Sequence, residues 1–297
     1  MLGRTSRESP VHAALAAHEH GWSGVAAGSP VASAVPDESV ELLDLGTTQQ
    51  ALATVADIDD LAAVVHLGHP EQPSPSLEQA LLDGDRSLIV TAAVTVAPRW
   101  VWVSPRPGGG AGQVVVDEAG VRDCADVLRA MGVSPRLVPT ATTLEERVAL
   151  VGEHGSLVVE DTRVPVGWTP MPGSDRLGER GPVWYGLLES RDDWPRFTEP
   201  AQVWLAFGPS DDHRGSLRHT LAVIDDAGVD LQHLRSHPSA QGPHVFFTSF
   251  RCPSVEALDR LVAELDARGV AHRTLAVLPG GHFEPGPDPL VPRWAGA

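Results

Sequence analysis

Apolar residues along this chain recur with two periods: short continuous or alternating runs, and a spacing of three to four residues. Interleaved, they predict strands alternating with helices, an α/β chain. The strand-like runs are Val40–Leu45, Ala62-Ala63-Val64-Val65, Leu88–Val96, Trp100–Val103, Arg136-Leu137-Val138 and Ser156–Val159, with Pro98-Arg99 breaking the third from the fourth. Thr47–Ala56 reads as a helix opened by Thr47 or Thr48. Val121, Val127, Leu128 and Met131 mark a second, ended by Gly132. Thr142 or Thr143 caps a third that runs to about Val151, with Glu145 and Glu146 in its first turn, where the helix dipole favours anions.

The pattern resets after Leu188. Charges and two prolines over Ser190–Pro200 predict a linker. Beyond it come a strand at Gln202–Phe207, a helix carrying Leu217, Leu221 and Ile224, a strand and a loop. A strand at His244–Phe250, a helix with Val255, Leu258, Leu261, Val262 and Leu265, and a strand at Leu275–Leu278 follow. This is a βαββαβ order, the split arrangement of a ferredoxin-like module, with an irregular tail from Gly280. The expected division is a catalytic region over 1–189 with a second lobe at about 95–165, a linker over 190–200, the module over 201–280 and a tail over 281–297.

Composition narrows the chemistry. The net charge of −17 argues against nucleic-acid or anionic-membrane partners. All 22 basic residues are arginine, which excludes Schiff-base lysines, a pyridoxal-phosphate anchor and a Walker-type phosphate loop. Gly108-Gly109-Gly110 accordingly reads as a turn in the loop Pro105–Gly112. The start Met1-Leu2-Gly3-Arg4 has no apolar signal core and no run reaches the roughly 20 residues of a membrane span. A cytoplasmic location is expected, and Cys124 and Cys252, far apart in the chain, are expected to be free thiols.

Two sets of motifs carry a resemblance. Gly215-Ser216-Leu217 and Arg235-Ser236-His237-Pro238, in the helix–strand frame just described, resemble the Gly-Ala-Leu and Glu-Ser-Arg-Pro of the ACT domain behind prephenate dehydratases. Upstream, in the same order, Leu2-Gly3-Arg4-Thr5-Ser6-Arg7-Glu8-Ser9 is similar to the dehydratase opening Leu-Gly-Pro-Glu-Gly-Thr-Phe-Ser. Val65-His66-Leu67-Gly68-His69-Pro70 corresponds to Val-Pro-Ile-Glu-Asn-Ser, and Val138-Pro139-Thr140-Ala141-Thr142-Thr143 to Val-Pro-Thr-Ser-Ser-Thr. The family's Thr-Arg-Phe falls on Val183-Trp184-Tyr185, or in another register on Gln202-Val203-Trp204; the first leaves the ACT domain its opening strand. The Thr-Arg pair is absent in both.

The resemblance implies a two-lobed catalytic unit like a periplasmic binding protein, an ACT domain, prephenate as substrate, no cofactor, an amino-acid effector and a homodimer or homotetramer. The missing Thr matters chemically. It is the group that protonates the departing ring hydroxyl, and losing a general acid costs roughly 10²–10⁴-fold. Prephenate decarboxylases of specialised metabolism, such as the pathway to bacilysin, lack the same pair, release only carbon dioxide and keep the hydroxyl. A decarboxylase is the leading expectation, with an inactive ligand-binding regulatory homologue and a true dehydratase as alternatives.

Candidate site residues follow. Thr5, Ser6, Arg7 and Ser9 form a polar loop at a helix start, suited to a carboxylate or simply to capping, and Arg7 stands in for the lost arginine. Thr140, Thr142 and Thr143 offer the same choice. His66 and His69 follow a buried strand, where a histidine can protonate a dienolate near neutral pH; with no third ligand nearby, a metal is not expected. Val183, Trp184 and Tyr185 would line the substrate. In the module, Arg235 and His237 exchange the family's charges, for a different amino acid or for a dimer contact alone.

Overall fold

A computed structural model of the chain describes residues 1–22, 42–85, 87–108, 112–179, 182–208, 215–237 and 244–280. Of the features named above, Val40, Gly109, Gly110, Pro238 and the tail beyond Gly280 lie outside these residues. The chain opens with β1 (Leu2–Arg4), α1 (Pro10–Glu19), β2 (Leu43–Asp44), α2 (Thr48–Asp57), β3 (Ala62–Gly68), α3 (Pro75–Asp83) and β4 (Leu88–Val96). It continues through β5 (Trp100–Ser104), β6 (Val114–Asp117), α4 (Glu118–Ala130), β7 (Arg136–Val138), α5 (Leu144–Val151), β8 (Ser156–Glu160), β9 (Thr169–Pro170) and β10 (Val183–Ser190). The last elements are β11 (Ala201–Gly208), α6 (Ser216–Asp226), β12 (Asp230–His237), β13 (Val245–Cys252), α7 (Val255–Ala267) and β14 (Ala271–Pro279).

Local chemistry sets the helix starts. Thr47 and Thr143 close reciprocal capping boxes with Gln50 and Glu146, so each pair satisfies two backbone donors at once. Ser9 caps α1 ahead of Pro10, whose missing N–H costs nothing in a first turn.

Two compact units result, one of residues 1–66 and 94–187, the other of 67–93 and 188–297. In the first, β10, β3, β1 and β2 lie side by side in that order, with β1 parallel to both neighbours. α1 packs Ala13, Ala16 and Ala17 against Val64 of β3, Val94 of β4, and Val183 and Tyr185 of β10. The same unit holds a second sheet in the order β7-β6-β8-β5-β9, parallel around β6 and antiparallel at β5. Its two sides carry separate cores, one around Trp100, Val116 and Leu128, the other around Val115, Leu157 and Val159. These are the two lobes of the expected catalytic architecture.

In the second unit, β12, β13, β11 and β14 form an antiparallel sheet with α6 and α7, the ferredoxin-like βαββαβ order. β11 is central and buried along almost its whole length, which explains its unbroken Val203-Trp204-Leu205-Ala206-Phe207 run. Val223, Ile224, Phe250, Leu258, Leu261 and Leu265 fill the core between sheet and helices.

Sequence patterning missed several elements, β1, β9 and β10 along with β6 and α3; for the last two, β6 and α3, the reasons are local. The first is four residues long beside a glycine loop, and the second opens on Ser74-Pro75, a proline-rich stretch whose helical period covers little more than two turns. Cys124 and Cys252 are buried thiols that form no disulfide. No helix among the described residues is long and apolar enough to cross a membrane.

Leu261 is fully buried in the second unit's core, whereas Leu234 on β12 is 40% exposed. Leu261→Ala is expected to cost about 2–5 kcal/mol in denaturant unfolding, and Leu234→Ala to stay within about 0.5 kcal/mol.

Candidate functional site

The first unit buries an unusual number of charges where α1 meets the second lobe. Ser9 accepts a hydrogen bond from the His12 backbone N–H (3.2 Å) and donates its own hydroxyl to Glu160 Oε1 at the end of β8 (2.7 Å). One residue earlier, Glu8 Oε2 pairs with Arg122 Nη1 of α4 at 2.6 Å. Arg122 Nε also donates to Asp123 Oδ1 at 2.9 Å, so one guanidinium spans two carboxylates. Asp123 Oδ2 accepts from the Trp100 indole N–H (3.1 Å) and faces His12 Nδ1 at 3.7 Å. His12 Nε2 accepts the Arg99 backbone N–H at 3.2 Å, which places the ring proton on Nδ1, toward Asp123. Trp100 meets the His12 ring edge-on at 5.1 Å.

Burial would push the Asp123 carboxyl upward, yet the contacts from His12 and Arg122 outweigh it and hold Asp123 well below the usual carboxylate range. Arg122 is likewise opposed by burial and kept firmly charged, chiefly by Glu8. Tyr185 of β10 is fully buried beside this cluster; desolvation raises its phenol far above the ordinary value, against the opposing pull of Arg122. It is therefore a neutral hydroxyl at every physiological pH. The His66 ring lies edge-on to Tyr185 with centroids 6.0 Å apart. Arg122 keeps about a quarter of its side chain exposed, so the cluster is reachable from solvent at that point.

Ser9, His12 and Asp123 have the composition of a hydrolytic triad but not its wiring. The His12 nitrogen that would take a serine proton is occupied by Arg99 N–H, and Ser9 gives its proton to Glu160. The set holds structure and does not form a charge relay.

The other sequence candidates are distributed as follows. Thr5 is buried against Glu8 (3.4 Å). Ser6 donates to Asp44 Oδ1 (2.6 Å); burial would raise the Asp44 carboxyl, but this bond, the Gly46 N–H and Arg4 lower it. Arg7 points to solvent, and the cation that reaches the buried cluster is Arg122 instead. Thr140 and Thr142 offer their backbone carbonyls to Arg147 (2.8 and 2.9 Å), itself fully buried on Asp117 at 2.6 Å. Thr143 spends its hydroxyl and N–H on Glu146, which lowers that carboxyl. Val183 is buried in the α1 core and Trp184 is half-buried.

His69 belongs to the second unit, where its Nδ1 accepts the Glu71 N–H at 3.2 Å. Also in that unit, Gly215 opens α6 in the left-handed region (φ +99°), Ser216 is buried, and Leu217 packs on the core. Arg235 and His237 both bind Glu78 of α3, while Ser236 is exposed.

Sequence reasoning missed Glu8, His12, Arg122, Asp123, Glu160 and Glu78. A signal existed for two of them. Asp123 and Glu78 fall inside the apolar arcs of their helices, beside Ala119, Cys124 and Leu128 and beside Leu77 and Leu81, where a lone carboxylate demands a partner.

Arg122→Met would strand Glu8 and Asp123, and is expected to cost about 3–5 kcal/mol near neutral pH. The sign with pH is defined. In the wild type the depressed Asp123 contributes stability above the unfolded-state value of about 4 and loses it as pH falls. In the variant Asp123 loses the part of that lowering which Arg122 supplies, so the gap between the proteins is expected to shrink on acidification. Urea unfolding at neutral and mildly acidic pH measures it.

No family model matches the chain, and no curated protein matches it in sequence. Solved structures do. A prephenate dehydratase from Arthrobacter aurescens, in complex with L-Phe, aligns over 96% of this chain and 92% of its own with a TM-score of 0.66 at 16% identity. The prephenate dehydratase of Staphylococcus aureus subsp. aureus Mu50 aligns over 80% and 89%, TM-score 0.54, at 10% identity. GqqA, described as a novel type of quorum quenching acylase, aligns over 96% and 100%, TM-score 0.60, at 15% identity. At such identities the likeness is one of architecture: this chain has the fold of the prephenate dehydratases.

Proposed function

We propose that this protein is a lyase acting on prephenate, and that it removes carbon dioxide without making the ring aromatic. The observation that carries the reading is the content of β10. At the positions where the resemblance puts the dehydratase Thr-Arg-Phe, the strand has buried Val183, half-buried Trp184 and the neutral, buried Tyr185. The other register would fall on β11, the central strand of the second unit's sheet, which favours this one. Valine offers the ring hydroxyl no proton.

The reaction balances with one proton and no cofactor. The bond from the ring to its carboxylate breaks, carbon dioxide leaves, and the electron pair moves through the diene to a ring carbon that takes the proton. The hydroxyl stays. In this reading Arg122 receives the pyruvyl carboxylate, replacing the role first given to Arg7, while Tyr185 and His66 stand where a proton is needed. Glu8 and Asp123 favour the same outcome electrostatically, because a ring carboxylate held near buried anions is relieved by leaving as neutral carbon dioxide. Functionally we divide the chain into a catalytic region over 1–189, a linker over 190–200 and an ACT module over 201–280, and place the protein in the cytoplasm as a homo-oligomer.

A second reading, a ligand-binding homologue without turnover, is favoured by one observation. Ser9 and Thr143, expected to hold a substrate carboxylate, already spend their hydroxyls within the chain.

Purified protein incubated with prephenate is expected to yield carbon dioxide and a hydroxylated, non-aromatic keto acid by NMR. Phenylpyruvate would make it a dehydratase, and binding without turnover the regulatory homologue. Tyr185→Phe is expected to lower kcat about 10²-fold with KM little changed. Val183→Thr with Trp184→Arg is expected to divert part of the product to phenylpyruvate.

A further inference from the structure

The segment between Gly68 and Gly84 is fastened to the ACT-like sheet of its own unit by a row of polar contacts. It begins in a tight turn: Gly68 has φ +82°, and a Cβ there would meet the Ser74 backbone nitrogen at 2.9 Å. The Trp204 indole N–H donates to Pro70 O at 2.6 Å, and the Ser249 hydroxyl donates to Glu71 O. Gln232 reaches the Glu71 carboxylate at 3.4 Å. At the far end Arg273 donates to the Leu81 and Gly84 carbonyls at 2.9 and 3.0 Å, closing the C-terminus of α3.

Between these lies Glu78. Its side chain has no solvent exposure, and each carboxylate oxygen takes one donor, Oε2 from Arg235 Nη1 and Oε1 from His237 Nε2. Arg235 and His237 are two apart on β12, so their side chains leave the same face of the strand. A cation and an imidazole set side by side to grip the two oxygens of one carboxylate make a carboxylate receptor, and a buried charge of this kind is retained only when so paired.

We propose that Arg235 and His237 form a carboxylate-binding site that this chain fills from within, with Glu78 as the tethered occupant. The residues are those at which the resemblance implies an effector, and the carboxylate is the group common to every amino-acid effector. The module is thereby held in its occupied state without a free ligand, and α3 takes its position from that bond. The inference concerns the second unit alone and stands whichever reaction the first unit performs.

The test is chemical rescue in the full-length protein. Glu78→Ala is expected to lower the melting temperature by on the order of 10 °C. Acetate at tens of millimolar is expected to restore at least half of that loss, sodium chloride at equal ionic strength to restore little, and the wild type to ignore acetate. Adding Arg235→Ala should abolish the rescue. Acetate acting no better than chloride, or acting equally without Arg235, would overturn the proposal and leave an ordinary ion pair. Should Glu78→Ala not fold, Glu78→Gln replaces it: its neutral amide is expected to speed hydrogen exchange over residues 75–83 roughly tenfold, and unchanged protection would count against the tethered carboxylate.

Discussion

A single guanidinium sets the character of the first unit. Arg122 lies between Glu8 of the α1 approach and Asp123 of its own helix and bridges the two carboxylates. Removing a carboxylate from water is affordable only with such a partner. Through Glu8 the arginine fixes the loop before α1. Through Asp123 it orients His12 and Trp100, and it lies against Tyr185. The loop, the helix start and the second lobe therefore share one electrostatic anchor.

That anchor also constrains the chemistry. Two carboxylates, Glu8 and Asp123, face the one arginine. Tyr185 is held neutral by burial. In the proposed reading, β10 carries Val183 where a dehydratase needs an acid at the ring hydroxyl.

Much of the architecture was legible in the sequence because local rules wrote it. Thr47, Thr143 and Ser9 are caps whose partners lie three residues away, and Leu258, Leu261 and Leu265 announce α7 by period alone. The βαββαβ order of the second unit followed from the same periods. The charged cluster was not legible, because the pairs that assemble it join distant residues, 114 positions apart for Glu8 and Arg122 and 151 for Ser9 and Glu160. Arg7 was the arginine favoured by position in the loop, but only the fold decides which arginine turns inward. Glu78 was hidden twice, by a short helix behind a proline and by partners more than 150 residues away on β12.

The account turns on where a proton ends up, and isotope incorporation reads that directly. Turnover of prephenate in D₂O should give a product with one deuteron on a tetrahedral ring carbon for each carbon dioxide released, with the hydroxyl retained. Carbon dioxide accompanied by an aromatic ring without deuterium would contradict it, since the proton would then have gone to the departing hydroxyl.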